Sequence, residues 1–233
     1  MALQHSPSIV TNGLILCLDS ANPRSYPGTG TRWSDVSSSS FIGTTASTTY
    51  TSGTSGYFAF NGTSSNVQVP ITGSPSLYNF QVAIQNYKAM SPGTSMGPYY
   101  SAIGFTANGS STIGLNLGEW TASATNETVS WWNYSTTSGA TYITDSIDAN
   151  FNIYSFNWNG TTYDIWINGT KRTLYSLGTV GLISNLTNVS IGYNQGWTYW
   201  FQGNIASMSM YNRQLSDSEV TQNFNAIRTR FNL

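Results

Sequence analysis

Charge is what this chain has least of. Eight Lys and Arg and nine Asp and Glu stand among 233 residues, 7% charged against roughly 25% in typical soluble proteins. The formal net charge of −1 offers phosphates no basic patch, which argues against a nucleic-acid partner. Cysteine occurs once, as Cys17, so neither an intramolecular disulfide nor a thiolate metal cluster can form. Cys17 lies in the apolar run 14–18 and reads as a buried small hydrophobe. Histidine also occurs once, as His5 in the N-terminal arm, which leaves little basis for nucleophilic catalysis through a serine and a histidine. No stretch approaches the roughly 20 apolar residues of a membrane span. The opening MALQHSPSIV has no basic segment followed by an apolar one, so no signal peptide is expected.

Polarity comes instead from Ser, Thr, Asn, Gln and Gly, and 14% aromatic residues supply the apolar surface. That mixture suits sheets and turns. No low-complexity linker or charge run divides the chain, so one domain over 13–233 is expected after an arm of residues 1–12. Alternation marks strands at Leu14, Leu16 and Leu18, at Val67, Val69 and Ile71, and at Phe80, Val82 and Ile84. It continues at Ile113, Leu115 and Leu117, and at Tyr154, Phe156 and Trp158. Asn-Gly pairs at 61–62, 108–109, 159–160 and 168–169 predict tight turns between strands. Trp131 and Trp132 are adjacent in a strand, so one faces the core and the other faces out.

The closing stretch 188–227 reads as two strands, an aromatic loop and a helix. Val189, Ile191 and Tyr193 alternate, as do Ala206, Met208 and Met210. Ser216 and Glu219 form a capping-box pattern, and Leu215 and Val220 are spaced for a hydrophobic staple. Val220, Phe224, Ile227 and Phe231 make one apolar stripe, with Arg228 and Arg230 placed to favour the helix C-terminus. "IG…WFQGNIASMSMYNRQLSDSEVTQNFNAI" resembles the C-terminal signature of the laminin G-like, concanavalin A-like lectin/glucanase superfamily. The opening GLILCLDSANPRSYPGTGTRWSDV resembles versions of such domains in bacteriophage virion proteins. The resemblance implies an all-β, two-sheet antiparallel jelly-roll sandwich of concanavalin A-like type with one short C-terminal helix. It also implies a virion setting. In FNGTSSNVQV, Ser64 and Ser65 stand where the family often carries acids, which argues against a metal at that turn.

The superfamily includes glucanases, whose retaining members need two carboxyls about 5–5.5 Å apart. None of the nine acids falls in a Glu-x-Asp-x-x-Glu strand, so no enzyme is expected and no catalytic residue is assigned. No cofactor is implied. Relatives often carry a rim Ca²⁺ site, for which Asp145, Asp148 and Asn150, or Asp35 with loop carbonyls, are weak candidates against the plainer reading of solvated turn acids. The aromatics are the stronger signal. Trp197, Tyr199 and Trp200 lie between two strands, and Tyr99, Tyr100, Trp131, Trp132 and Tyr134 add further rings. Such rings either stack on glycans or cover the sandwich edge and subunit contacts, where Tyr and Trp are also enriched. The expectation is a non-catalytic phage virion structural protein on the particle surface, made in the host cytoplasm. It would serve as a capsid decoration or fibre-associated module. Capsid or fibre subunits would be its partners, in a homo-oligomer or larger assembly. The alternative is an adhesin that recognises host cell-surface polysaccharide. Neither needs nucleic acid or membrane.

Overall fold

The computed structural model describes residues 8–86, 100–107, 110–117, 129–133, 139–143, 146–177, 181–194 and 199–233. Two antiparallel sheets pack face to face, closed by one C-terminal helix. The first sheet runs Thr170–Lys171, Tyr163–Ile167, Phe151–Trp158, Asn79–Asn86, Gln202–Tyr211, Tyr57–Asn61 and Thr49–Thr51. Leu14–Asp19 joins the second half of the long strand Gln202–Tyr211, whose first half pairs with Tyr57–Asn61. The second sheet runs Tyr175–Leu177, Gly139–Ile143, Val129–Asn133, Ser110–Leu117, Tyr100–Ala107, Leu186–Ile191, Asn66–Pro70, Ile42–Ala46 and Arg32–Ser34. This is the all-β sandwich that the sequence resemblance implies, built from the strands that the alternating patterns mark.

The core is aromatic at its centre. Phe80 stacks on Phe156 with ring centroids 4.6 Å apart, and Trp131 leans on both and on Phe105. Offset and tilted rings of this kind add to simple area burial. Trp131 is therefore the inward member of the adjacent Trp pair.

Several strand pairings carry register shifts, and two of these redirect the apolar periodicity of the first sheet. The pairing of Leu14–Asp19 slips between Leu14 and Leu16. Leu16 and Leu18 face the core as expected, but Leu14 packs outside, with Trp166, Leu215 and Val220. A slip between Ile205 and Ser207 likewise turns Ile205 inward and Ala206 outward, while Met208 and Met210 stay in the core. One extra residue inverts the facing of everything before it.

The Asn-Gly turns divide in two. Asn159-Gly160 and Asn168-Gly169 join consecutive antiparallel strands as expected. Asn61-Gly62 does not make a hairpin, because Tyr57–Asn61 and Asn66–Pro70 belong to different sheets. Asn61 Oδ1 accepts the backbone N–H groups of Thr63, Ser64 and Ser65 and turns the chain across the sandwich. The pair 108–109 lies outside the described residues, between strands that match Ala107 with Ser110.

The helix spans Asp217–Ile227 and continues as a 3₁₀ turn over Arg228–Phe231. Ser216 caps it: its hydroxyl accepts the Glu219 N–H at 3.3 Å, and Glu219 Oε2 accepts the Ser216 N–H at 2.9 Å. Arg213 adds a two-point ion pair to the same carboxylate. Leu215 and Val220 share one buried cluster, as the staple requires. The apolar stripe splits: Val220 packs with Leu215, while Phe224, Ile227 and Phe231 pack over Ala83, Phe151, Ile153 and Ala206. The arginines do not neutralise the last α-helical turn. Arg230 reaches across to Asp19 with two bonds of 3.0 and 2.9 Å, and Arg228 donates to the carbonyl of Leu233. Residues 8–12 of the arm lie against this helix. Val10 N–H donates to Asn223 Oδ1, Asn223 Nδ2 to Tyr211 Oη, and Tyr211 Oη to the Val10 carbonyl, a closed and buried ring of three bonds.

Candidate functional site

The described part of the aromatic loop is a short hairpin in which Tyr193–Asn194 pairs with Tyr199–Trp200. It leaves the second sheet at Gly192 and is laid back over that sheet's outer face. Gly192 sits at φ +78°, and a Cβ there would run into the ring of Phe60. Only glycine meets both conditions without strain. The floor is Gly104 opposite Gly114, two glycines inside strands. A Cβ on Gly104 would come within 2.9 Å of the Tyr193 carbonyl, and one on Gly114 within 2.7 Å of Asn194 Nδ2. Glycine inside a strand commonly marks this kind of close backbone approach. The interior glycines of SAIGFTA and STIGLNL carry that signal, which alternation of apolar residues alone does not reveal.

So seated, the hairpin presents its rings. Tyr193 and Trp200 stack with centroids 4.1 Å apart and an interplanar angle of 26°, both half-buried. The next residue, Phe201, is buried beside Phe60 and anchors the base. Gln68, Ser190, Gly104, Gly114 and Trp132 follow one another in register across the sheet. Beside the floor, Gln68 Oε1 accepts from Asn188 Nδ2 and from Ser190 Oγ, both at 2.9 Å. The surroundings are amides and hydroxyls.

Of the sequence-derived aromatics, Trp200 and Tyr199 are in the hairpin, and Tyr193 joins them as the stacking partner. Trp131 is removed from any such surface: it is fully buried in the core and has no free ring face. Trp132 and Tyr100 occupy strand positions in the second sheet. Tyr99, Tyr134 and Trp197 lie outside the described residues.

The acids that are described have other work. Asp35 accepts the N–H groups of Cys17, Ser37 and Phe41 and the Ser37 hydroxyl, which fills its oxygens and withdraws it as a calcium ligand. Asp148 accepts the N–H and Nδ2 of Asn150 and the Nδ2 of Asn152, the bonding of a solvated turn acid. Asp145 lies outside the described residues. Asp19 is paired with Arg230, Asp164 with Lys171, and Glu219 with Arg213. Among the described residues no three His, Cys, Asp or Glu side chains cluster closely enough to hold a metal ion. Burial, with Asp19 and Asp35 nearby, pushes the Cys17 thiol up to about 12, far from a reactive thiolate.

Solved structures share this sandwich. Trypanosoma rangeli sialidase in complex with sialic acid aligns with a TM-score of 0.64 at 13% identity, over 96% of this chain and 34% of that one. Domain 4 of AbnA, a GH43 extracellular arabinanase from Geobacillus stearothermophilus, in complex with arabinotriose, aligns with a TM-score of 0.62 at 16% identity, over 90% of this chain and 97% of the domain. The binding domain of botulinum neurotoxin serotype G aligns with a TM-score of 0.62 at 16% identity, over 91% and 50%. The chain thus spans about a third of the sialidase. No family model and no curated protein matches the sequence.

Proposed function

We propose that this sandwich is a non-catalytic carbohydrate-binding module. The observation that carries the reading is the half-buried, stacked Tyr193–Trp200 pair, raised on a hairpin that two strand glycines and Gly192 exist to seat. A flat, uncharged aromatic surface beside amides suits the apolar face of a sugar ring and its rim of hydroxyls. The arabinanase domain lends support, since it matches over nearly its whole length and was solved with arabinotriose. Of the nine acids, the six described ones, Asp19, Asp35, Asp148, Asp164, Asp217 and Glu219, include no pair set aside for glycoside hydrolysis. Five are held by partners, and Asp217 stands in the first turn of the helix.

The setting we propose is the surface of a bacteriophage particle, as a capsid decoration or fibre-associated module. Its support is the sequence resemblance at both ends of the chain. A second reading makes the rings a contact to neighbouring virion subunits. One experiment separates the two. Trp200→Ala is introduced into the particle and the mutant protein is followed by mass spectrometry of purified virions and by adsorption to host cells. A carbohydrate module predicts particles that keep the protein and lose adsorption. Loss of the protein from the particle overturns that reading in favour of the subunit contact.

A further inference from the structure

The strand Gln202–Tyr211 starts at one end of the first sheet, directly after Trp200 and Phe201. Its register sets Gln202 opposite Asn61, Gly203 opposite Asn86 and Asn204 opposite Gln85. At this end the sandwich opens into a cleft of about 420 Å³, within the ~300–1,000 Å³ range of small-molecule sites. Phe60, Gln85, Asn86, Gln202, Gly203 and Asn204 line it. Phe60 also packs on Phe201, at the base of the aromatic hairpin, so the cleft and the rings share one support.

Four carboxamides thus converge with no charged side chain among the described lining residues. Each carboxamide carries two donors and an acceptor, the complement of a sugar's hydroxyls. Asn204 Nδ2 donates to Gln85 Oε1 at 2.9 Å. That bond orients both amides at the cleft wall. Asn86 is only 5% exposed, and its amide is turned inward to the buried Tyr154 hydroxyl, at the margin of a hydrogen bond. The acid nearest in the chain, Asp148, precedes the lining residue Ala149 and has its oxygens occupied by Asn150 and Asn152.

We infer that this carboxamide cleft seats a neutral sugar residue, one with adjacent hydroxyls and no carboxylate, sulfate or phosphate. The inference rests on the carbohydrate-binding reading and adds to it the chemical class of ligand and the place where specificity is exerted. The rings contribute contact area that any pyranose or furanose face can use. The amides discriminate, because an anionic group in the cleft would lose its hydration with no cation in the described walls to replace it. Lys88 follows Asn86 by two residues, outside the described residues, so the test must be able to reveal a cation from there.

The test is calorimetric titration of the intact chain with matched probes: arabinotriose, lactose against 3′-sialyllactose, and galactobiose against digalacturonate. A neutral probe should bind, and its anionic counterpart should bind at least tenfold more weakly. Affinity should change less than about twofold between 50 and 500 mM NaCl, since no charge pair is screened. Gln85→Leu and Gln202→Leu should each weaken binding at least tenfold at an unchanged melting temperature. Gln202→Ala, at a half-buried site on the sheet end, serves if the leucine variants misfold. Preference for anionic probes, abolished by salt or by Lys88→Gln, overturns the neutral class. Full affinity in the cleft variants with loss only in Trp200→Ala overturns the cleft as the seat and spares the carbohydrate reading. No heat with any probe overturns both.

Discussion

Gly104 and Gly114 show how much one missing side chain can decide. Each sits in the middle of a strand, where glycine costs conformational entropy and packs nothing. The return is that a hairpin can lie on the sheet within van der Waals reach of its backbone. Gly104→Val should push Tyr193 and Asn194 off that floor, lowering stability by about 1–3 kcal/mol in urea denaturation. The near-ultraviolet circular dichroism of the Tyr193–Trp200 stack should weaken with it. An unchanged spectrum would mean that the hairpin does not depend on the floor. At this scale the sequence was readable where it concerned type and unreadable where it concerned neighbours. The aromatic run at 197–201 announces a surface of rings. Nothing local tells Trp200 apart from Phe201, yet one is half-buried and the other is the buried anchor. Trp131 against Trp132 was legible only to the extent that strand alternation makes them differ. Tyr193 was legible as a strand residue but not as the stacking partner of a ring seven positions on.

Among the elements, the closing helix was read most fully, because its signals are local. Cap, staple and stripe lie within 17 residues, and the structure uses each of them. Its two bulged neighbours were not read, since a bulge is an agreement between two strands and leaves no mark on one. Ser216→Ala should cost about 1 kcal/mol. The pH dependence follows from Glu219. The Arg213 guanidinium, first, and the Ser216 N–H hold its carboxyl down at about 2, against an ordinary 4.5. A carboxyl whose folded value is depressed contributes fully above its unfolded value, and that contribution is lost as pH falls through the folded one. Stability should therefore decline from about pH 4.5 towards pH 2. Glu219→Gln should be less stable at pH 7 and should show a flatter acid limb. Parallel acid limbs for the variant and the parent protein would place the acid sensitivity elsewhere.

For the molecule as a whole, the stretch YNRQLSDSE at 211–219 is a clasp. Tyr211 bonds the arm, Arg213 grips Glu219 and the carbonyl of Asn12, Leu215 fills the cluster beneath, and Ser216 starts the helix. The residues that carry the sequence resemblance are those that close the sandwich, and the proposed carbohydrate site lies elsewhere. Burial pushes the Tyr211 phenol up to about 12, so it remains a donor at any physiological pH. Tyr211→Phe removes its bond to Val10 and leaves Asn223 Nδ2 short of an acceptor, and should cost about 1–3 kcal/mol. Amide hydrogen exchange should show the loss first at residues 8–12, and uniform exchange across the variant would argue that the arm is not held there.

The long strand Gln202–Tyr211 also sets a clock. Leu14–Asp19 and Tyr57–Asn61 both wait for it, and Asn79–Asn86 gains its second neighbour only when it arrives. At about 5–20 residues per second, a ribosome needs roughly 10–40 s to go from the first of these strands to the last. For that interval Leu14–Asp19 has no strand partner, and Tyr57–Asn61 has only Thr49–Thr51 beside it. Few charges guard them, and their pairing spans nearly the whole chain, the circumstance in which β-rich proteins fold slowest. Synthesis rate and chaperone supply, more than any single contact, should govern how much of this protein reaches its sandwich.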